Sequence, residues 1–112
     1  MGYDIKSHTK NEVKETVLGI YSELSTAYIF VHNLRCELHA CANDGEDIEI
    51  ARKVIGDYVE KLPDFKFFPN QKATYLSILL QASIGKLSLF DTWKILYTIE
   101  NQIIDAMKCF KF

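Results

Sequence analysis

The chain has 112 residues and a formal net charge of −2, with 48% hydrophobic and 25% charged residues. These values are typical of one globular domain, so we expect a single helical-bundle domain over residues 1–112. The 13 basic residues are scattered along a slightly acidic chain. Nucleic acid is therefore not an expected partner, because phosphate backbones attract concentrated positive charge.

The apolar runs and the cysteines indicate the cellular location of the protein. The longest apolar run, residues 75–82, is much shorter than the roughly 18 residues of a membrane-spanning helix, so we expect no transmembrane segment. Cys36, Cys41 and Cys109 are an odd number of cysteines without a tight spacing framework. This pattern favours a reducing, cytoplasmic location over secretion.

A continuous apolar seam over residues 10–42 predicts one long amphipathic first helix. Its members follow one another at steps of three or four: Val13, Val17, Ile20, Leu24, Ala27, Val31, Leu34, Leu38 and Cys41. At about 1.5 Å per residue such a helix spans roughly 50 Å. A capping box that opens at Thr9 predicts its start, and residues 43–45 predict a tight turn at its end. Ser25 and Thr26 have low helix propensity, so a break there is the alternative to a continuous helix.

Three shorter helices are predicted to pack along the first one. The predicted ranges are 46–62, 69–84 and 89–109. Pro63 ends the first of these, and Pro69 is well placed in the first turn of the next. That helix is apolar on nearly every face, which predicts the central, most buried helix. Gly85 ends it, and Ser88 caps the last helix. Short connections between four helices predict an all-α, antiparallel up-down four-helix bundle with a long first helix.

One stripe of the first helix carries residues that could bind a metal or act as a nucleophile. His32, Cys36 and His39 share this stripe, and imidazole and thiolate groups are common zinc ligands. A closed zinc site needs a fourth ligand, and Cys109 belongs to the opposite end of the bundle, so we predict no metal site. Nucleophilic catalysis would need a third group to orient the His–Cys pair, and none stands at a recognisable spacing. We therefore predict no catalytic residue, no cofactor and no enzymatic activity.

Two surfaces are candidates for contact with another protein. The outer stripe of the first helix, around Ile29 and the His32–Cys36 pair, is either wrapped by the bundle or meets a second chain. The loop between the second and third helices contains Phe65, Phe67 and Phe68. These rings either cover one end of the bundle or present an aromatic patch to a partner.

Residues 69–104 read PNQKATYLSILLQASIGKLSLFDTWKILYTIENQII. This stretch resembles the second half of the immunity proteins that protect Gram-positive bacteria against class IIa, pediocin-like bacteriocins. In that family a proline opens the third helix, and a short basic connection leads into a capped fourth helix with a Leu and Ile seam. The residues in comparable places here are Pro69, Gly85, Lys86, Ser88, Leu96 and Ile99. The chain departs from the family in its longer first helix, in the early cap at Ser88 and in stopping at Phe112, where members often have a mobile tail.

The resemblance implies a four-helix bundle without catalytic residues that acts in the cytoplasm as a monomer or weak dimer. Its partner would be the mannose phosphotransferase permease with bound bacteriocin, which the protein would recognise from the cytosolic side to block the pore. Candidate contacts are then the aromatic loop and the tail residues Lys108, Phe110, Lys111 and Phe112. The alternatives are a helical adaptor or regulator that dimerises through the first helix, and a viral inhibitor of host signalling.

Overall fold

The computed structural model describes residues 2–43 and 48–110, which form four helices with short connections. The helices are α1 (Gly2–Asn43), α2 (Ile48–Glu60), α3 (Pro69–Ser83) and α4 (Leu89–Lys108). They pack as an all-α four-helix bundle, as the periodicity predicts. Tyr21, in the first half of α1, contacts Phe110 beyond the end of α4, and His39, near the end of α1, contacts Trp93 near the start of α4. These two helices are therefore antiparallel.

α1 is one rod that sets the length of the molecule. Its 42 residues correspond to about 63 Å, and the longest extent of the molecule is 65 Å. The helix is continuous through Ser25 and Thr26, where the Thr26 hydroxyl donates to the Ser22 carbonyl oxygen at 3.0 Å. The predicted start at Thr9 is wrong, because the backbone is already helical from Gly2 and an N-cap residue is not helical. No proline stands before Thr9 to prevent the extension.

The end of α2 agrees with its prediction. α2 ends at Glu60, and the N–H groups of Lys61 and Leu62 still bond to carbonyl oxygens of the last turn. Pro63, which cannot donate a backbone hydrogen bond, follows directly. The predicted turn at Asp44-Gly45 and the predicted start of this helix at residue 46 lie outside the described residues.

The connection between α3 and α4 has the predicted turn and cap. Gly85 has a φ of +87°, the left-handed conformation that commonly ends a helix and that glycine adopts without steric cost. The Ser88 side chain accepts a hydrogen bond from the Asp91 backbone N–H at 3.0 Å. The predicted N-cap of α4 is thus confirmed.

One hydrophobic core joins the four helices and the loop between α2 and α3. Its buried apolar members are Ala27, Phe30, Val31, Leu34, Leu38, Ala51, Ile55, Tyr58, Phe65, Tyr75, Leu79, Ala82, Leu96 and Ile103. The predicted seam of α1 packs in this core from Leu24 to Cys41. Val13, in contrast, is 58% exposed, because residues 12–16 extend beyond the rest of the bundle.

The prediction that the third helix is the most buried one is wrong. α3 buries Tyr75, Leu79 and Ala82, but Leu80 and Ile84 are exposed. α1 contributes more of the core, because α4 packs along one side of it and α2 along another. α3 packs mainly on α2 and only briefly on α4. Because α3 is apolar on nearly every face, some of its apolar side chains are not covered by another helix.

Candidate interaction surfaces

The aromatic loop between α2 and α3 folds into one end of the bundle. Phe65 is buried, and its ring meets Tyr75 edge to face with centroids 6.1 Å apart. The Phe65 ring is therefore part of the core. Phe67 and Phe68 are half-buried. Of the two alternatives for this loop, a cover over the end of the bundle is the one that the structure supports.

Glu23 of α1 holds the aromatic loop in place, a role that no motif indicates. Its carboxylate accepts hydrogen bonds from the backbone N–H groups of Lys66 and Phe67, the latter at 2.8 Å. The Phe67 ring lies over Gly19, where an added Cβ would approach the ring Cε2 atom to 2.6 Å. Glycine therefore gives the loop room to pack directly on the α1 backbone.

A cavity of about 290 Å³ opens beside the loop, between α1, α3 and α4. Its lining is mostly apolar and includes Leu24, Phe68, Tyr75, Ile99 and Ile103. Burial raises the pKa of Tyr75, so its phenol stays neutral at physiological pH. The cavity lies at the lower limit of small-molecule sites, which start at about 300 Å³. We assign no ligand to it.

The described part of the tail, residues 108–110, lies beside α1. Phe110 is half-buried, and its ring meets Tyr21 edge on with centroids 6.0 Å apart. Lys108, in the last turn of α4, is exposed. The other two tail candidates, Lys111 and Phe112, lie outside the described residues. Of the candidate tail contacts, only Lys108 is shown to present its side chain to solvent.

The outer stripe of α1 is partly wrapped by α4 at His32. The His32 Nδ1 atom lies 2.5 Å from Glu100 Oε1, and its ring stacks on Tyr28 with centroids 5.3 Å apart. Cys36 is exposed, and its Sγ lies 3.6 Å from His32 Nε2. Ile29 is also exposed, at 57%. The stripe is thus covered at His32 and open at Ile29 and Cys36.

Glu100 is a buried polar residue that the sequence analysis did not identify. Besides His32, it binds Arg35, whose Nε donates to Oε2 and whose Nη2 donates to Oε1 at 3.3 Å. The Arg35 guanidinium lies over the rings of Trp93 and Tyr97, at 5.8 and 5.6 Å from their centroids. Burial acts to raise the pKa of Glu100, but the hydrogen bonds from Arg35 and His32 outweigh it and hold the pKa below its usual value. These partners are 65 and 68 residues away in the chain, so no local spacing could indicate them.

His39 does not join His32 and Cys36. It lies near Trp93, with ring centroids 6.5 Å apart. Within the part of the chain that the structure describes, no group of three or more His, Cys, Asp or Glu side chains is arranged to hold a metal ion.

The two most exposed large apolar side chains among the described residues flank the connection between α3 and α4. Phe90 is 68% and Ile84 65% exposed. Lys86 is exposed between them, and Lys94 Nζ lies 5.2 Å from the centroid of the Phe90 ring. We call Ile84, Lys86, Phe90 and Lys94 the α3–α4 tip. The apolar character of Ile84 and Phe90 does not by itself show whether another helix covers them.

Arg52 of α2 donates hydrogen bonds to the backbone on both sides of the connection between α3 and α4. Its Nη1 donates to the carbonyl oxygens of Ala82 and Leu87, at 2.5 and 3.2 Å. These two oxygens stand on either side of the connection, so one guanidinium ties both ends of it to α2. These charge-assisted hydrogen bonds hold the backbone of the connection against α2, next to the exposed side chains of the tip.

None of the described helices combines the length and the apolar character needed to cross a bilayer. Comparisons of the chain with protein-family models, with curated proteins and with solved structures find no match.

Proposed function

We propose that this chain is a bacteriocin immunity protein that protects its cell without catalysis. It binds the mannose phosphotransferase permease with bound bacteriocin from the cytosolic side. The observation that carries the proposal is the exposed α3–α4 tip, which lies inside the segment that resembles the immunity proteins. The four-helix bundle, which that family shares, also supports it.

The chemistry of the tip suits a partner that is embedded in a membrane. Phe90 and Ile84 offer apolar surface, and exposed aromatic and aliphatic groups are typical anchors of protein interfaces. Lys86 and Lys94 add positive charge beside them. The cytoplasmic leaflet is anionic, and a basic residue near it contributes roughly 1 kcal/mol of attraction. The tip therefore combines an apolar contact surface with an electrostatic preference for the inner face of a membrane.

The test is protection of living cells. The chain is expressed in a bacteriocin-sensitive lactic-acid or streptococcal strain, which is then challenged with a panel of class IIa bacteriocins. We expect growth at bacteriocin concentrations that stop the same strain carrying the empty vector. No protection, with expression confirmed, would refute the proposal.

Two variants and one control locate the contact. Phe90→Ser and Ile84→Ser each remove exposed apolar surface from the tip, so we expect both to lose protection at unchanged protein level. Val13→Ser is the matched control, because Val13 is a similarly exposed apolar residue on the part of α1 beyond the bundle. Surface substitutions of this kind change stability by about 0.5 kcal/mol or less, so loss of protection would report the contact and not the fold.

A second candidate is a helical adaptor or regulator that dimerises through α1, and the exposure of Ile29 favours it. Leu18 is also exposed, about three helical turns away and so on the same face. The solution mass from light scattering tests this candidate. A dimer that Ile29→Glu converts to a monomer, while Leu80→Glu on α3 does not, would support it. A wild-type monomer at all concentrations would eliminate it.

A further inference from the structure

We propose that Cys36 is a thiol activated by His32, and that it forms reversible mixed disulfides with low-molecular-weight disulfides. Cys36 Sγ lies 3.6 Å from His32 Nε2, and His32 Nδ1 lies 2.5 Å from Glu100 Oε1. A nucleophile, a base and a carboxylate that orients the base are the signature of an activated nucleophile. The inference does not rest on the immunity function, because it uses none of the side chains of the α3–α4 tip.

Glu100 orients the imidazole so that the correct nitrogen faces the thiol. An ionised carboxylate can only accept hydrogen bonds, so Nδ1 carries a proton, and in the neutral imidazole Nε2 is left as the acceptor toward Cys36. Arg35 binds both carboxylate oxygens, and Tyr28 stacks on the imidazole ring. Glu100 is therefore a positioning residue, which acts on the thiol through His32.

The exposure of the three groups suits a reaction with a molecule from solvent. Cys36 is exposed, His32 is half-buried beneath Tyr28, and Glu100 is buried. A small disulfide can therefore reach Sγ, whereas the carboxylate is protected from competing water. Reactive cysteines combine access of this kind with a neighbouring base or cation. Cys109 is also exposed, but its Sγ donates to the Asp105 carbonyl oxygen at 3.6 Å, and no hydrogen bond joins it to either of the described imidazoles, His32 and His39.

The reaction is thiol–disulfide exchange. The Sγ proton passes to His32 Nε2, and the thiolate attacks one sulfur of the disulfide. An Sγ–S bond forms as the original S–S bond breaks. The departing thiolate keeps the electron pair of that bond and takes the proton from the imidazolium. Cys36 is oxidised, one half of the disulfide is reduced, and excess free thiol reverses the step.

The probe is 2,2′-dithiodipyridine, a neutral disulfide, so charge around the cysteines does not steer it. The rate of modification of each cysteine at neutral pH is read by mass spectrometry of its peptide, and Cys109 is the internal control. We expect Cys36 to react about tenfold faster than Cys109. Rates that agree within a factor of about two would overturn the proposal.

Two variants test the base and its orientation. With His32→Gln we expect Cys36 to react at about the rate of Cys109, while Cys109 itself is unchanged; an unchanged Cys36 rate would overturn the proposal. With Glu100→Gln we expect a slower Cys36 and altered nitrogen chemical shifts of the His32 ring, because an amide can donate as well as accept. A purely structural role of Glu100 predicts the opposite, a looser bundle in which Cys36 and Cys41 both react faster.

Discussion

Individual polar side chains between the helices favour one alignment of α1 with its neighbours. Glu100 of α4 binds Arg35 and His32 of α1. Tyr58 of α2 donates its hydroxyl proton to the Glu37 carboxylate of α1 at 2.9 Å. A buried polar group is costly unless it is paired, so each of these contacts favours one alignment of α1 against the other helix.

We expect Glu100→Gln to destabilise the protein by about 2 kcal/mol at neutral pH, because it weakens the pairing of a buried carboxylate with Arg35. The folded state holds the pKa of Glu100 below its usual value of 4.5. The stabilisation is therefore fully present above pH 4.5 and is lost as the pH falls through the lowered pKa. Denaturant unfolding of wild type and variant at a series of acid pH values checks this prediction. We expect the difference in their free energies of unfolding to vanish as the pH falls.

The control for the Glu100 variant is Glu60→Gln, at an exposed position at the end of α2. We expect it to change stability by less than about 0.5 kcal/mol at any of these pH values. If the difference in free energy of unfolding between wild type and Glu100→Gln increased toward acid pH, the prediction would be contradicted.

We expect Tyr58→Phe to lower stability by about 1 kcal/mol at neutral pH through loss of the bond to Glu37. Burial, followed by this hydrogen bond, raises the pKa of Tyr58 from 10.0 to about 12. The stabilisation is present below pH 10.0 and is lost as the pH rises through about 12. The measurement is an absorbance titration of the tyrosines, in which Tyr58→Phe removes a late phase.

At the scale of elements, the aromatic loop and α1 depend on each other. The Phe67 ring of the loop needs α1 backbone to lie against, and the N–H groups of Lys66 and Phe67 need an acceptor on α1. Gly19 leaves the α1 backbone open to the Phe67 ring, and the Glu23 carboxylate accepts the hydrogen bonds of the N–H groups. A glycine inside a helix normally costs about 1 kcal/mol relative to alanine, and here the contact with Phe67 offsets that cost.

Two glycine substitutions separate helix propensity from this contact. We expect Gly56→Ala in α2 to raise stability by up to about 1 kcal/mol, because a Cβ there meets no atom within 4 Å. Gly19→Ala gives little or no gain, since its Cβ displaces the Phe67 ring. In a Phe67→Ala background the same change becomes stabilising by about 1 kcal/mol. Denaturant unfolding of the four Gly19/Phe67 combinations measures the coupling, and equal effects in both backgrounds would contradict it.

At the scale of the whole molecule, one helix is much longer than the bundle packed on it. From residue 12 onward, where burial is described, the first buried residue of α1 is Ala27, and residues 12–16 are exposed. Helical segments that bury few side chains are marginally stable in water, so we expect the part of α1 inside the bundle to be more stable than residues 12–16.

We expect hydrogen exchange to divide α1 at the edge of the bundle. The backbone amides of residues 12–16 exchange at least about 100-fold faster than those of residues 27–38, because the former open locally and the latter open with the core. The buried part of α4, residues 96–103, serves as the protected control. Mass spectrometry of exchange-labelled peptides makes the comparison, and uniform protection along α1 would contradict it.

Local physical chemistry by itself determined the elements of this protein. Steps of three and four between apolar residues identified the helices, Ser88 identified the start of α4, and Gly85 identified the end of α3. These signals act within a few residues of the chain, so they can be read without knowing the fold. The long α1 and the four-helix architecture follow from them.

Only the tertiary structure decided which residues meet and which remain uncovered. It buried Phe65, exposed Ile84 and Phe90, and placed Glu100 against His32 beside Cys36. Periodicity shows that a residue is apolar on a helical face but not whether another helix covers that face. Contacts between α1 and α4 join residues far apart in the chain, and their geometry depends on how whole helices pack. Both candidate sites of this protein, the α3–α4 tip and the Cys36 thiol, are consequences of that packing.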